Sequence, residues 1–306
     1  MPEVITAGDL FTDLLLSGFD AWPKPGREVF AQEFAREAGG GAAITACGLA
    51  KLGTQTQIFG MVGLDDHEWL LGRLRTAGAD VSAIHFHQNE PTAFTIAATI
   101  DADRSFLTYP GANRGFLSAL LDAAERQEFR GVRHVHLACA PDHESAPGLL
   151  RSLHAQGCTV SLDCGWHPEW LADSRMPELL ANLDLFFPNE PEALHVSGAK
   201  DWESALQWFE RQGVPRVALK RGAHGAALLW EGSIYQTGPV SANVLETTGA
   251  GDCFDAGFLY GWLTGRSPQT CLRAGAVCGA LSTEAPGGLR GFPSPETLWG
   301  RLGHGD

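Results

Sequence analysis

The residues best suited to catalysis lie near the C-terminal end of the chain, where Thr247-Thr248-Gly249-Ala250-Gly251-Asp252 precedes a long apolar segment. Glycines at the start of a helix let the backbone approach a ligand, and the free N–H groups and the dipole of the helix favour an anion there. An aspartate in the same turn could accept the proton of a hydroxyl that attacks a bound phosphoryl group. Asp252 could equally be a simple N-terminal carboxylate, because aspartate is favoured at that position for capping alone.

Two further motifs follow strand-like segments. Phe187-Pro188-Asn189-Glu190-Pro191-Glu192 offers an amide and carboxylates that could hold Mg²⁺ through water, since this ion prefers oxygen ligands and keeps several waters. The same residues could be only a helix start with acidic side chains near its positive end. Lys220-Arg221-Gly222-Ala223-His224-Gly225 has two glycines that fit a nucleotide loop, although a turn between two strands also uses glycine freely.

The N-terminal part carries residues that could bind an acceptor. Ala38-Gly39-Gly40-Gly41-Ala42-Ala43 would bring backbone amides close to a ligand because no side chain intervenes. Asp13 could accept paired hydrogen bonds from hydroxyls, or be a polar residue at the end of a strand. Tyr109-Pro110-Gly111-Ala112-Asn113 has the composition of a turn.

Residues 246–258 resemble the C-terminal signature of the ribokinase-like (PfkB) carbohydrate kinases, and the resemblance extends through almost the whole chain. It implies that Asp252 is the catalytic base and that the amides of Gly249, Ala250 and Gly251 stabilise the transferring phosphoryl group. Asn189 and Glu192 match the N-x-x-E motif of the family, which implies that they hold Mg²⁺ and phosphate through water. The residues expected to bind the nucleotide are Asn189, Glu192, Lys220, Gly222, Gly225 and Thr247.

The resemblance also assigns residues to the acceptor. Asp13 matches the family aspartate that binds two sugar hydroxyls, the glycine motif matches the backbone that contacts the sugar, and Asn113 is a candidate contact in a turn over the sugar. The residues expected to bind the acceptor are Asp13, Gly39, Gly40, Gly41 and Asn113. For Lys220, contact with phosphate and a solvated surface charge are both open.

Several positions differ from the family pattern around the acceptor. Ile44 stands where many members have an asparagine that contacts the sugar, and Gly41 where several have a lysine. In Asp163-Cys164-Gly165-Trp166-His167 only Asp163 matches the family's D-x-N-x-R. We therefore favour a small sugar or sugar acid without a phosphate, although Arg104 and Arg114 could reach a carboxylate or phosphate if the lid closes.

Glu246 stands where the family usually has an aspartate of a monovalent-cation site. The extra methylene could alter or abolish this site, while the loop 284–291 could still offer carbonyl oxygens. Potassium activation is thus a hypothesis, which Glu246 disfavours and the loop 284–291 favours. Equal rates in potassium and in a bulky organic cation would exclude it.

These motifs require a scaffold that brings the ends of several strands together. Residues 4–16 have the pattern of a strand, a glycine turn at Gly8 and a second apolar run, and 41–52 is typical of a buried helix. Strand-like segments follow at 135–137, 159–163, 185–188, 216–220 and 226–230, with helical segments between most of them. Such alternation predicts a mainly parallel sheet flanked by helices, with ligands at the carboxyl ends of its strands. A strand at 28–34 and the hairpin 92–100/104–109, joined by Asp101-Ala102-Asp103, predict a second, small sheet.

We therefore expect an α/β, ribokinase-like three-layer fold with a small β-sheet lid. The chain, 1–306, should form a single kinase domain, with lid strands drawn from about 11–34 and 92–109. Pairing of the lid strands of two copies would give a homodimer.

Composition limits the other functions. A formal charge of −14 without a Lys/Arg stripe argues against nucleic acid as a partner. Seven cysteines without a C-x-x-C pair indicate a reducing compartment, and the sequence has neither a signal-peptide pattern nor a spanning apolar segment, so we expect a cytoplasmic protein without a membrane partner. His134, His136 and His143 have no metal-ligand spacing and are expected to be structural or surface residues.

The main hypothesis is an ATP- and Mg²⁺-dependent sugar kinase. A nucleoside kinase of the same fold is the alternative, because Phe11, Trp22, Phe94 and Phe106 could form an aromatic pocket. The departures from the family pattern also leave room for a catalytically weak, nucleotide-binding regulatory protein, although Asp252 argues against it. Neither a G-x-G-x-x-G after the first strand nor a G-x-x-x-x-G-K-[ST] motif is present, which argues against a Rossmann dehydrogenase and a P-loop kinase.

Overall fold

The computed structural model describes residues 2–22, 24–100 and 103–303, and for residues 100, 103 and 104 it describes the backbone alone. The predicted turn at 101–103 falls largely outside this description, as does the predicted reach of the Arg104 side chain. The strands are β1 Val4–Gly8, β2 Phe11–Ser17, β3 Glu33–Gly39, β4 Thr56–Gly63, β5 Ile84–His87, β6 Phe94–Ile100, β7 Asp103–Tyr109, β8 His134–Ala138, β9 Thr159–Asp163, β10 Leu185–Phe186, β11 Arg216–Lys220, β12 Ala226–Trp230 and β13 Ser233–Thr237. The helices are α1 Gly41–Lys51, α2 His67–Thr76, α3 Phe116–Glu125, α4 Ala146–Ala155, α5 Pro168–Leu171, α6 Met176–Ala181, α7 Glu190–Ser197, α8 Trp202–Arg211, α9 Ala250–Leu263, α10 Pro268–Ser282 and α11 Pro295–Leu302, with 3₁₀ helices at Gly111–Gly115 and Gly222–His224.

The main sheet has nine strands within the described residues, in the order β13-β12-β11-β10-β9-β8-β1-β4-β5. All neighbours pair in parallel except β12, which is antiparallel to β11 and to β13. The predicted parallel sheet is therefore confirmed, and the sequence-predicted strands lie at its centre. β4, β5 and β13 were not among the predicted strands.

Helices cover both faces of the main sheet. On one face, α1 packs on β1 and β4, α10 packs on β12 and β13, and α9 contacts both helices; Phe187, Phe258 and Cys253 are fully buried in this layer. On the other face, α3, α4 and α8 contribute to a second core with residues of β1, β8, β9 and β10, in which Leu120 is fully buried and Phe209 packs on Phe186. This three-layer arrangement accounts for the continuous apolar strands, since parallel strands are buried on both faces.

The lid is a four-stranded sheet with the order β3-β2-β6-β7. The hairpin prediction is confirmed by antiparallel pairing of β6 with β7 from Phe94↔Tyr109 to Ile100↔Asp103. The predicted strand at 28–34 is wrong in position, because β3 begins at Glu33 and pairs antiparallel with all of β2. Pairing, rather than the local alternation of apolar and polar residues, fixes this register, and it carries β3 directly into the glycine motif.

None of the described helices is long and apolar enough to cross a bilayer.

Candidate active site

The helix α9 begins at the predicted anion hole. Its N-cap, Gly249, has φ 75°, and a Cβ there would come within 2.8 Å of Ile44 Cδ1, so both the backbone conformation and the space require glycine. The first N–H groups of α9 have no partner within the helix and carry its positive dipole end. Ile44 therefore packs behind this turn as an apolar support.

A second helix starts at the same place. α1 begins at Gly41, and a Cβ on Gly41 would lie 2.8 Å from Asp252 Oδ1, in the first turn of α9. Thr45 Oγ1 donates to the Asp252 carbonyl at 3.2 Å and fixes the two helices to each other. Two helix N-termini thus converge on one carboxylate, which is a suitable place for a transferring phosphoryl group.

The glycine motif brings the acceptor side to this point. A Cβ on Gly39 would overlap the Asp13 carboxylate, and one on Gly40 would overlap the Asp9 carbonyl. Consecutive glycines therefore border Asp13, Asp9 and Asp252 in turn. Asp13 and Asp252 thus border the same glycine motif, while their roles toward an acceptor stay predictions.

The environment of Asp252 suits a proton acceptor. Burial raises the pKa of this carboxyl from 3.8 to about 7, helped by the nearby Asp163 carboxylate and opposed by Lys220. A base whose pKa lies near neutral pH can take a proton from a hydroxyl and still be ionised much of the time.

Lys220 is not a solvated surface charge, so this one of the two interpretations of its sequence position is wrong. Its side chain is 12% exposed, and Nζ lies 2.6 Å from Asp163 Oδ2 and 3.3 Å from Asp255 Oδ1. Burial raises the pKa of Asp255 well above its ordinary range, whereas Lys220 holds that of Asp163 below it despite burial. Lys220 and Asp163 form the shorter ion pair, and burial favours the protonated form of Asp255 beside them.

His136 extends this buried network. Its Nε2 lies 4.0 Å from Asp255 Oδ2 and has no hydrogen-bond partner among the described residues, while Nδ1 contacts Ser161 Oγ at 2.8 Å. Burial lowers the pKa of His136 to about 4, so the ring is neutral. His134, His136 and His143 are all buried, in agreement with a structural role.

A cavity of about 390 Å³ lies on the other side of the anion hole. Its walls include Val240, Val244, Phe254 and Ala280, which are apolar enough to hold a flat base. The predicted nucleotide residues Lys220, Gly222, Gly225 and Thr247 line this cavity, together with Ala250 and Gly251 of the anion hole.

Asn189 and Glu192 form a capping box at the start of α7. Asn189 Oδ1 accepts from the Glu192 N–H at 2.9 Å, and Glu192 Oε2 accepts from the Asn189 N–H at 2.8 Å. The Glu192 side chain is 2% exposed, and burial raises its pKa, with the Asp163 carboxylate adding to the effect. The interpretation of these residues as a helix start is confirmed. The role of Asn189 and Glu192 in magnesium binding stays a prediction.

Carboxylate oxygens suitable for Mg²⁺ lie closer to the anion hole. Asp163, Asp252 and Asp255 can each place one oxygen within 4.8 Å of the others. This set of hard oxygen donors fits the chemistry of Mg²⁺, which retains waters and binds through one or two carboxylates plus phosphate. The sequence analysis singled out Asp163 only because it matches the family's D-x-N-x-R motif, and not as a ligand of Mg²⁺.

Asn113 holds the backbone at the acceptor side. Its Oδ1 accepts from the Leu10 N–H at 3.2 Å, and its Nδ2 donates to the Leu10 carbonyl at 3.1 Å. The predicted sugar contact stays a prediction, because both polar atoms already bind Leu10. Arg114 pairs with Glu90 at 3.3 Å and with the Tyr109 hydroxyl.

Three further residues differ from the family pattern: Glu246, Gly165 and His167. Glu246 is buried, and its Oε2 accepts from the Gly287 N–H at 2.8 Å, so the longer side chain is attached to the loop 284–291. Gly165 has φ 65°, a conformation that an asparagine or glycine adopts readily, and His167 is exposed.

The family model described as pfkB family carbohydrate kinase matches residues 7–295. The chain is 28% identical over 286 residues to the 2-dehydro-3-deoxygluconokinase of Bacillus subtilis (strain 168), covering 87% of this chain and 86% of that protein. It is 30% identical over 301 residues to the ATP-dependent ribose-1-phosphate kinase of Halopiger xanaduensis, covering 97% of each.

Solved structures agree with the fold. The Arabidopsis thaliana ribokinase in complex with ribose and ATP superposes with a TM-score of 0.82 at 25% identity over 98% of both chains. An Escherichia coli structure assigned as a ribokinase II, which holds ATP and Mg²⁺, superposes with a TM-score of 0.79 at 21% identity over 97% of this chain and 98% of that one.

Proposed function

Because the chain belongs to the pfkB family of carbohydrate kinases, we propose that it transfers the γ-phosphoryl group of ATP to a hydroxyl of a small, unphosphorylated sugar or sugar acid. It is a carbohydrate kinase, a phosphotransferase with an alcohol group as acceptor. The main support for this transfer reaction is that the N-termini of α1 and α9 converge on Asp252, between an apolar cavity and the glycine motif.

The reaction follows from this arrangement. ATP lies with its base in the cavity of about 390 Å³ and its γ-phosphoryl group at the N–H groups of Gly249, Ala250 and Gly251. Asp13 accepts hydrogen bonds from acceptor hydroxyls and orients the one that points to Asp252. Asp252 takes the proton of this hydroxyl as the oxygen attacks phosphorus, and the N–H groups stabilise the negative charge on the phosphoryl oxygens.

Mg²⁺, when bound, would neutralise charge on the β- and γ-phosphates. Asp163 could hold it directly or through water, and Glu192 could do so through water, since Asn189 and Glu192 keep unused oxygen lone pairs. The seven free thiols fit a reducing, cytoplasmic compartment.

A coupled assay of ADP release with Mg²⁺ and ATP tests the proposal across neutral sugars, sugar acids and nucleosides. Turnover with a sugar or sugar acid supports it, whereas turnover confined to nucleosides would establish the alternative, a nucleoside kinase. ATP binding without ADP release from any acceptor would contradict both.

The rate should depend on pH through Asp252. Because its pKa is raised to about 7, the carboxyl is mostly protonated below neutral pH, is about half ionised near pH 7, and is mostly in its basic form above it. We expect kcat/KM to rise about tenfold per pH unit below a midpoint near 7 and to level off above it. Measurement of kcat/KM for the sugar across the pH range at saturating ATP checks this, and a flat profile through neutrality would contradict it.

The lid offers a surface for a second copy of the chain. Leu14, Ile96 and Leu107 are neighbours across β2, β6 and β7. Leu16 and Phe34 lie in the next row of the same face. Phe34 and Leu107 are 65% and 56% exposed, and β3 and β7 are the open edges of the sheet. An exposed apolar face on a sheet with open edges favours self-association, so we propose a homodimer through the lid.

Replacement of Leu107 by glutamate should then convert the dimer to a monomer of 32.7 kDa, because a carboxylate would be buried without a partner. Sedimentation equilibrium of the wild type and the variant measures this. Ile234→Glu is the matched control, since Ile234 is 41% exposed on β13, at an edge of the main sheet. A wild-type protein that sediments as a monomer at micromolar concentration would contradict the proposal.

A further inference from the structure

A second cavity, of about 270 Å³, lies beside the glycine motif and is not part of the nucleotide site. We call it the far pocket; its described lining includes Asp9, Phe116, Cys139, Pro141, His167 and Trp170. Its lining residue Asp9 has a backbone carbonyl that lies against Gly40, and the neighbouring Gly41 borders Asp252. The far pocket therefore adjoins the glycine motif on which the proposed acceptor site is built.

The Asp9 carboxylate has no protein partner in this pocket. Burial alone raises its pKa from 3.8 to about 6, and the described residues supply neither a hydrogen bond nor an ion pair to it. It is consequently ionised in most molecules at neutral pH. A half-buried carboxylate without a partner is costly, and its stabilisation must come from water or from a ligand.

Among the described residues that line the far pocket, His167 is the one basic side chain that could offset this charge. No lysine or arginine is among the described residues that line it. Cys139 stays a protonated thiol, because burial and the Asp9 carboxylate both raise its pKa. Asn113 lines the pocket too, but both of its polar side-chain atoms bind the Leu10 backbone.

Aromatic walls add to the preference for a cation. Trp170 is held in place by a hydrogen bond from Nε1 to the Pro141 carbonyl at 2.6 Å and by stacking on His143 with ring centroids 4.8 Å apart. An ammonium group gains energy both from a carboxylate and from an indole face. A carboxylate or phosphate at this position would instead be repelled by Asp9.

Building on the proposed kinase function, we propose that the far pocket binds an ammonium group at the end of the acceptor opposite the phosphorylated hydroxyl. The acceptor is then an amine-bearing sugar or polyol, rather than the sugar acid or phosphorylated sugar named for the relatives above. The volume of about 270 Å³ is below that of a pocket for a drug-sized ligand, so it takes only part of the acceptor.

Matched acceptors test this inference. We would compare kcat/KM for 1-amino-1-deoxy-D-fructose with D-fructose, and for D-gluconate with D-sorbitol, at a pH of roughly 7.5, where both Asp9 and the amine are charged. The expected result is an advantage of about tenfold or more for the amine over D-fructose, and a lower value for the acid than for D-sorbitol.

Asp9→Asn should remove the advantage of the amine, leaving the two members of the first pair within about twofold. Binding of ADP as in the wild type shows that this variant is folded. Asp122→Asn, which changes an exposed carboxylate of α3 outside the pocket, should keep the full advantage.

Equal values for D-fructose and its amine in the wild type would overturn the inference and leave the kinase function standing, since sugars would still be phosphorylated. A full advantage retained by Asp9→Asn would overturn it as well. Absence of ADP release with every acceptor would instead refute the proposed function on which the inference rests.

Discussion

Asp252→Asn is expected to lower kcat by about 10³-fold, within the range of about 10²–10⁴ that a positioned general base supplies. The asparagine keeps the shape of the side chain and the start of α9, but it cannot take the proton of the attacking hydroxyl. Because the N–H groups of the anion hole remain, the KM for ATP should change far less than kcat. Single-turnover and steady-state assays of ADP release measure both quantities.

The structure supplies controls for this experiment. Asp252→Glu keeps the carboxylate but adds a methylene beside Gly41, whose Cβ position is 2.8 Å from Asp252 Oδ1, so it should also lose most activity. Asp122→Asn should retain the wild-type rate because Asp122 is exposed on α3. Asp252→Asn with kcat close to the wild-type value would exclude Asp252 as the base.

The glycine turn at the start of α9 could be predicted from the sequence because its residues are contiguous. Gly249, Ala250, Gly251 and Asp252 follow one another, so a local pattern carries the whole turn, including the glycine that the positive φ of Gly249 requires. The turn that contains Gly222 and Gly225 was predictable for the same reason, since both glycines lie on one short connection between β11 and β12, while nucleotide binding by this turn stays a prediction.

The network of charged residues beside Asp252 was not predictable in this way. Asp163, Lys220 and Asp255 come from β9, β11 and α9, and only the order of strands in the sheet brings them together. In the sequence Lys220 is one basic residue beside another, which is also the pattern of an exposed strand end. Asp9 escaped notice because a carboxylate after a first strand has no distinctive spacing.

The register of the lid strands β2 and β3 could likewise not be predicted from a local sequence pattern. The segment 28–34 alternates roughly as a strand would, yet β3 starts at Glu33 because its partner β2 and the glycine motif fix where pairing begins. Long-range pairing overrides such a weak local signal. The strands of the main parallel sheet were easier to predict, since buried strands are apolar throughout and alternate with helices.

Lys220→Met is expected to destabilise the fold by about 3–5 kcal/mol, the usual cost of removing one partner from a buried ion pair. The variant leaves Asp163 ionised in a buried site without its counter-ion at 2.6 Å. Urea unfolding measures the difference in free energy of unfolding. Lys200→Met, at an exposed position, should change it little.

The pH dependence of this loss identifies its cause. In the wild type, Lys220 holds the pKa of Asp163 below its unfolded value of 3.8, so the stability that the ion pair contributes is present above that value and is lost as pH falls through the folded pKa. In Lys220→Met, burial without a counter-ion raises the pKa of Asp163 above 3.8, and the penalty grows as pH rises from that value toward neutrality. The deficit should therefore be largest at neutral pH and shrink in acid, and Asp163→Asn in the same chain should restore part of it. A deficit that is independent of pH would mean that lost packing of the lysine stem, and not an uncompensated carboxylate, destabilises the variant.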